Sequence, residues 1–157
     1  MKSHHINPCI EATVDTYKTM LDITPYRNGK LEVKTGVFPV SQCMGVIGFT
    51  GKVRGAMLIG MSEEVACKTI SSFLDKEILT IDADVLDGIG EIINIIARGA
   101  SAKLADYRIG LGIPTVLVGK VGKEQKMFSG IESPWIIIPL ITDESGEFEF
   151  AITMEET

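Results

Sequence analysis

Histidine is nearly missing from this 157-residue chain, which has only His4 and His5, both in a start expected to fray. No histidine-based catalysis and no His/Cys metal site can be assembled from that inventory. Cysteine is scarce too. Cys9, Cys43 and Cys67 are odd in number, far apart and without a CxxC, which reads as free core thiols in a reducing cytoplasm. A basic excess is also missing. The net charge is −6, and no dense Lys/Arg cluster offsets it, so nucleic acid is not an expected partner. Long apolar runs are absent as well. The first fifteen residues hold none of signal-peptide length. The longest run, Pro134 to Ile141, is too short to span a bilayer and is interrupted by Pro139. Neither secretion nor a membrane partner is expected. What remains is 45% hydrophobic and 23% charged, the balance of one folded domain over residues 1–157 with a sizeable core.

The hydrophobic pattern places helices and strands. Asn7 as N-cap and Pro8 in the first turn predict a helix to Leu21, with Ile10, Val14, Tyr17 and Leu21 as its buried stripe. Pro25 and Asn28-Gly29 then break the chain. A strand is expected from Leu31 towards Val40. Cys43–Thr50 and Val53–Gly60 flank Gly51-Lys52 and read as a tight hairpin. Its glycines at 45, 48 and 55 mark bulges or a helix lying close on the sheet. Ser62 can cap a second helix with Val65, Ala66, Thr69, Ile70, Phe73 and Leu74 inward. The last third reads as β: Thr115–Gly119, about Gln125–Gly130, Trp135–Thr142 with Pro139 at an edge or bulge, and a final strand. In that strand Phe148, Phe150, Ile152 and Met154 alternate with Glu147, Glu149, Ala151 and Thr153. The fold class is therefore α+β, with helices packed on one face of a largely antiparallel sheet.

The stretch Asp82–Ala105 holds the chemistry. At about 100° per residue, Val85, Leu86, Ile89, Ile92, Ile93, Ile96, Ala97, Ala100 and Leu104 share one side. Asp84, Asp87, Glu91, Asn94, Arg98 and Ser101 share the other, in one line along the helix. Asp82 suits the N-cap, and Asp84 and Asp87 suit the positive end of the dipole. Ile95 sits on the open side beside Glu91 and Asn94. Gly88, Gly90 and Gly99 flank the line, each costing roughly 0.8–1.0 kcal/mol relative to Ala inside a helix. Either another helix of the same protein packs against them, or a partner approaches the backbone there. Arg98 can pair with Asn94 or Glu91, reach a partner acid, or stay solvated. A metal-dependent hydrolase is the weakest reading, because Asp84, Asp87 and Glu91 are collinear and lack converging ligands. A faint repeat accompanies the line: Asn7, Glu11 and Val14 have the spacing of Asp87, Glu91 and Asn94.

The run Asp87-Gly-Ile-Gly-Glu91-Ile-Ile-Asn94 resembles the signature of the CheC/CheX/FliY family of chemotaxis phosphatases. That signature has an Asp or Ser, a Glu four residues on, an Asn three further, and a downstream proline whose place Pro114 takes. The first helix with its turn, and the Gly-rich hairpin before Ser62, look like CheX-type members, so the likeness covers nearly the whole chain. The resemblance implies a fold of pseudo-repeated halves. It implies a hydrolase that removes the phosphoryl group from the aspartate of a CheY-type response regulator. Glu91 would pair with the regulator's active-site lysine, and Asn94 would orient the attacking water. Asp87, Ile95, Arg98, Gly88 and Gly99 would support that pair or touch the partner. The protein would need no cofactor of its own, since the regulator carries the Mg²⁺. CheC-type members have two such helices. Here Val14 stands where the first Asn would be, which leaves one site per chain, the pattern of homodimers joined through their sheets. A non-catalytic adaptor or flagellar-switch-like module on the same scaffold is the alternative.

Overall fold

The computed structural model describes residues 3–35, 41–119 and 133–157. Two long hairpins form its centre. β3 (Cys43–Thr50) and β4 (Val53–Met61) pair across Gly51-Lys52, as their two apolar runs predict. β7 (Trp135–Thr142) and β8 (Gly146–Glu156) make the second hairpin, and β8 pairs with all of β4. Short strands finish both ends. β1 (Tyr26–Arg27) and β2 (Glu32–Lys34) pair with β7, while β5 (Gly110–Leu111) and β6 (Thr115–Val118) pair with β3. The order is β1/β2, β7, β8, β4, β3, β5/β6, with antiparallel neighbours throughout.

Three helices, α1 (Ser3–Leu21), α2 (Glu63–Leu74) and α3 (Ala83–Lys103), share a core with one face of this sheet. The chain reads helix, two short outer strands, hairpin; then α2; then helix, two short outer strands, hairpin. Exchanging the two halves leaves the strand order unchanged. The pseudo-repeat is thus visible in the topology.

The core under the helices joins Tyr17, Ile47, Ile59, Ile70, Ile89, Ile93, Ile96 and Phe150. The opposite face is buried as well, through Met44, Val46, Leu58, Trp135, Ile137 and Ala151. This corrects the half-buried reading of β8: Ala151 and Thr153 are as enclosed as the phenylalanines beside them. Small and hydroxyl-bearing side chains had looked solvent-facing by alternation alone.

Several boundaries differ from expectation. Helix α1 starts at Ser3, so Pro8 lies inside it and Asn7 is not its cap. The early turn docks instead of fraying: Ile6 is buried, and His5 Nε2 lies 2.6 Å from the Tyr107 hydroxyl. Burial on α1 is centred on Cys9, Ala12, Thr13, Thr16 and Tyr17, leaving Ile10 and Val14 half-buried. The two threonines enter the core because each hydroxyl donates to the carbonyl one turn back, Thr13 to Cys9 at 2.8 Å and Thr16 to Ala12 at 2.7 Å. Leu74 and Leu86, expected inward, are exposed. The strand expected from Leu31 is reduced to Glu32–Lys34 and is exposed. Its continuation towards Val40 lies outside the described residues, as does the strand expected near Gln125–Gly130.

Pro139 sits in an inner strand, not at an edge. It faces the interval between β1 and β2, where its carbonyl accepts from Asn28 N at 2.9 Å. Its nitrogen points the same way, into a place where no ladder donor is required.

Candidate active site

Helix α3 carries the polar line. Its start is set locally: the Asp82 side chain accepts from Val85 N at 3.0 Å, satisfying one of the orphan donors of the first turn. Asp84 pairs with Lys76 of the preceding connection. Val85, Ile89, Ile92, Ile93, Ile96, Ala97 and Ala100 are fully buried and anchor the helix on the sheet. At roughly 25 cal/mol per Å² of apolar surface, such a stripe outweighs the cost of the three glycines several-fold. Gly45 lets the helix settle: a Cβ there would lie 3.1 Å from side-chain carbons of both Ile89 and Ile93. Of the two readings of the hairpin glycines, the close helix holds at this position.

The expected line is brought together on the side that remains. Asp87, Glu91 and Arg98 are exposed, and Asn94 and Ile95 are half-buried. Arg98 Nη2 lies 3.7 Å from Glu91 Oε1 across two helical turns. Both side chains are about half exposed, so the pair is weak and water-screened. Glu91 is therefore oriented by a cation it can readily exchange for another. Among the described residues the Asn94 amide forms no hydrogen bond. Its donor and its acceptor are both available.

The glycines have a different explanation from the partner contact the sequence reading entertained. Gly88 is buried, and a Cβ there would come 2.6 Å from Ile70 Cδ1 of α2. A Cβ on Gly99 would touch the Cβ of Ala12 on α1 at 3.4 Å, and one on Gly90 would touch Val116 Cγ2 on β6 at 3.4 Å. At Gly88 the close approach is made by the protein's own α2, whereas at Gly99 and Gly90 a Cβ would meet its neighbour at ordinary contact distance. Around α3 the order is thus sheet, β6 beside Gly90, the open line from Asn94 to Ile95, then α1 and α2 beside Gly99 and Gly88.

One exposed apolar residue escapes the sequence. Phe49 pairs with Leu111, yet Val46 pairs with Thr115. Residues 112, 113 and 114 therefore face only 47 and 48, a β-bulge that Gly112 N closes on Gly48 O at 2.8 Å. Ile113 emerges from it 89% exposed. An isoleucine before a proline carries no signal of that.

The line lies on a helix surface. Cavities of ≈ 320, ≈ 300 and ≈ 400 Å³ occur elsewhere, and neither Glu91 nor Asn94 borders them. Among the described residues no group of His, Cys, Asp or Glu is arranged to hold a metal ion. No described helix is long and apolar enough to cross a membrane. The three cysteines are unpaired and buried. Burial pushes the Cys9 thiol up to about 12 and, with smaller effects from Cys67 and Glu63, the Cys43 thiol up to about 11, so neither is a thiolate nucleophile at neutral pH. A small substrate needs a concavity to hold it. A pair of open polar groups on a helix surface fits a substrate that brings its own.

Comparison with known proteins agrees with this geometry. The CheY-P phosphatase CheX of Thermotoga maritima is 28% identical over 123 residues, covering 76% of this chain and 79% of the relative. The crystal structure of chemotaxis protein CheX from Desulfovibrio desulfuricans superposes with a TM-score of 0.80 at 27% identity, covering 96% of this chain and 99% of that one. The fold is shared with CheX in the CheX–CheY–BeF3–Mg²⁺ complex from Borrelia burgdorferi, at a TM-score of 0.77 and 22% identity, covering 97% of this chain and 98% of that one. The family model for chemotaxis phosphatase CheX matches residues 43–130, which include the second hairpin strand, α2 and the whole polar line. By that match, on the fold and polar line described above, the chain belongs to the chemotaxis phosphatase CheX family.

Proposed function

We propose that the protein hydrolyses the aspartyl phosphate of a CheY-type response regulator, with Asn94 orienting the attacking water and Glu91 pairing with the regulator's active-site lysine. The observation that carries this reading is the open placement of Glu91 and Asn94 on α3, one helical turn apart, opposite the apolar stripe that the helix buries. The relative's name, CheY-P phosphatase, supports the reaction, and the CheX–CheY–BeF3–Mg²⁺ complex supports the partner.

The chemistry asks little more of this chain. Phosphoryl transfer is dominated by positioning and by neutralising charge on the phosphoryl oxygens. In the proposed complex the regulator holds the Mg²⁺ that neutralises those oxygens, and this protein adds no cofactor of its own. Asn94 inserts its amide beside the phosphorus, accepts from the water and donates to a phosphoryl oxygen. Glu91 exchanges its long contact with Arg98 for the regulator's lysine, which sets the register of α3 in the regulator's active site. It acts as a docking charge, not as a general base. Asp87, a further turn back, complements the helix dipole, and Ile95 supplies an apolar contact at the side of the line nearest α1. Gly88, enclosed by Ile70, is left out of the interface. The proposal also includes a homodimer joined through the sheets, with one site per chain, working in the cytoplasm.

The test is steady-state phosphate release from a CheY-type regulator fed by a small phosphodonor. Wild type is expected to stimulate release clearly. Asn94→Ala should lower that stimulation by about 10²–10³, the loss seen when one positioned polar group is removed from a reacting centre, while still binding the phosphorylated regulator. Binding without stimulation by the wild type would replace the phosphatase with an adaptor.

A further inference from the structure

The side of α3 that carries Asn94 continues into an apolar margin. Three registers define it. Helix α3 runs in the same direction as β3, because Gly45 lies under Ile89 and Ile93 while Lys52 N donates to Tyr107 O at 3.0 Å. β6 runs opposite to β3, with Gly45 across from Val116 and Val46 across from Thr115. Val116 faces Gly90. Moving from Gly90 to Asn94 advances about 6 Å along the helix, and moving from Val116 to Pro114 advances about the same distance in the same direction. Pro114, and the bulge it closes, therefore stand level with Asn94.

The bulge presents Ile113 at that level. A bulge re-aims a side chain at the cost of ladder pairing, and this one turns an isoleucine almost wholly into water, at 89% exposure. The other end of the margin is apolar too. Leu86 lies one helical turn before Gly90, and Val118 shares the face of Val116; they are 38% and 40% exposed. A lone exposed apolar residue means little. Here Ile113 lies on a segment fixed by strand pairing and by the Gly112–Gly48 hydrogen bond, and Leu86 and Val118 continue an apolar margin along the side of α3 nearest β6.

We propose that Ile113, displayed by the bulge beside Asn94, is a specificity-determining docking contact for the response regulator, with Leu86 extending the same apolar margin. This rests on the phosphatase reading above. The occupant is the regulator itself, because α3 cannot bring Asn94 to a phosphoaspartate in a partner's cleft without pressing this flank against the rim of that cleft. Ile113 touches no reacting atom. Its contribution is made equally before and during the chemical step, so it belongs in KM and complex affinity and not in kcat.

The experiment measures kcat and KM of phosphate release from the phosphorylated regulator, and the Kd for the same regulator loaded with beryllofluoride and Mg²⁺. The variants are Ile113→Ser, Ile113→Leu and, at the opposite edge of the sheet, Val33→Ser, where Val33 is 64% exposed. Ile113→Ser should raise KM and Kd about tenfold, the loss of one well-placed apolar anchor, at unchanged kcat and unchanged melting temperature. Ile113→Leu should restore most of the affinity, and Val33→Ser should match wild type. With wild type active, an Ile113→Ser variant of unaltered KM and Kd would overturn the docking role, as would a fall in kcat at constant KM. A wild type that speeds no dephosphorylation would remove the phosphatase reading, and the docking role with it.

Discussion

Helices α1 and α3 open the two halves of one pseudo-symmetric sheet, and each carries a glutamate one turn before the position of interest. Glu11 and Val14 on α1 match Glu91 and Asn94 on α3 in spacing. Their surroundings differ. Glu11 and Asp15 both lie near Lys103 Nζ, at 3.4 and 3.9 Å, so two acids of α1 share one cation at the end of α3. Val14 is half-buried at the margin of the core. Farther along, Tyr17 is fully enclosed and stacks on Phe148 with centroids 4.6 Å apart. On α3 the corresponding acid holds only a long, exposed contact with Arg98, and the asparagine amide is unengaged among the described residues. The duplicated scaffold thus gives one helix two acids on a shared cation and the other an acid beside an unengaged amide. The same spacing is present on both helices, with Val at position 14 of one and Asn at position 94 of the other.

This contrast can be broken most severely at Asn94. Asn94→Ala should abolish most stimulated phosphate release, and the reciprocal Val14→Asn should not create a second active helix, because Asp15 stands where α3 has Ile95 and a carboxylate beside position 14 would repel a phosphoryl group. Val14→Asn in the Asn94→Ala background is expected to leave release at the level of Asn94→Ala alone. Recovered activity would mean that α1 is as open as α3.

A smaller effect is expected at the glycines. If Gly88 serves packing, Gly88→Leu must drive side-chain atoms into Ile70, at a cost of about 1–3 kcal/mol from overpacking partly offset by better helix propensity. Denaturant unfolding should show a lower midpoint at an unchanged m-value. A stability equal to wild type with weakened regulator binding would return Gly88 to the interface.

The smallest effect sharpens the structural side of α1. The Tyr17 hydroxyl is buried without a hydrogen-bond partner among the described residues, and its pKa is raised by burial. Leaving such a group unpaired costs about 1 kcal/mol or more, so Tyr17→Phe should stabilise the protein by about 1 kcal/mol, raising the melting temperature by about 2–4 °C. Phosphate release should be untouched, since the ring and its stacking remain. A destabilised variant would show that the hydroxyl is paired in solution.

Much of the site was legible because it depends on local physics. The start of α3 follows from Asp82, its length from the apolar stripe ending near Leu104, and the open line from steps of three and four residues. Ser62 capping Val65 N at 3.2 Å and the hairpin at Gly51-Lys52 are likewise encoded within a few residues of where they act. The two-residue strands β1 and β5 were not legible, since they exist only because β7 and β3 offer an edge to pair with. The early start of α1 depends on Tyr107, which lies 102 residues away from its contact at His5.

By itself the sequence determined the amphipathic helix, the identity and spacing of Glu91 and Asn94, the caps of α2 and α3, and the long hairpin strands. All of these follow from periodicity, propensity and composition, which act over a turn or two of chain. Tertiary structure alone decided which sides of α3 are covered. Gly88 looks identical on a helical wheel to a glycine awaiting a partner, and only the arrival of Ile70 shows that its space is already filled. It also decided that Ile113 faces water, because a bulge arises from the mismatch of two registers, and a register belongs to a pair of strands and not to either one.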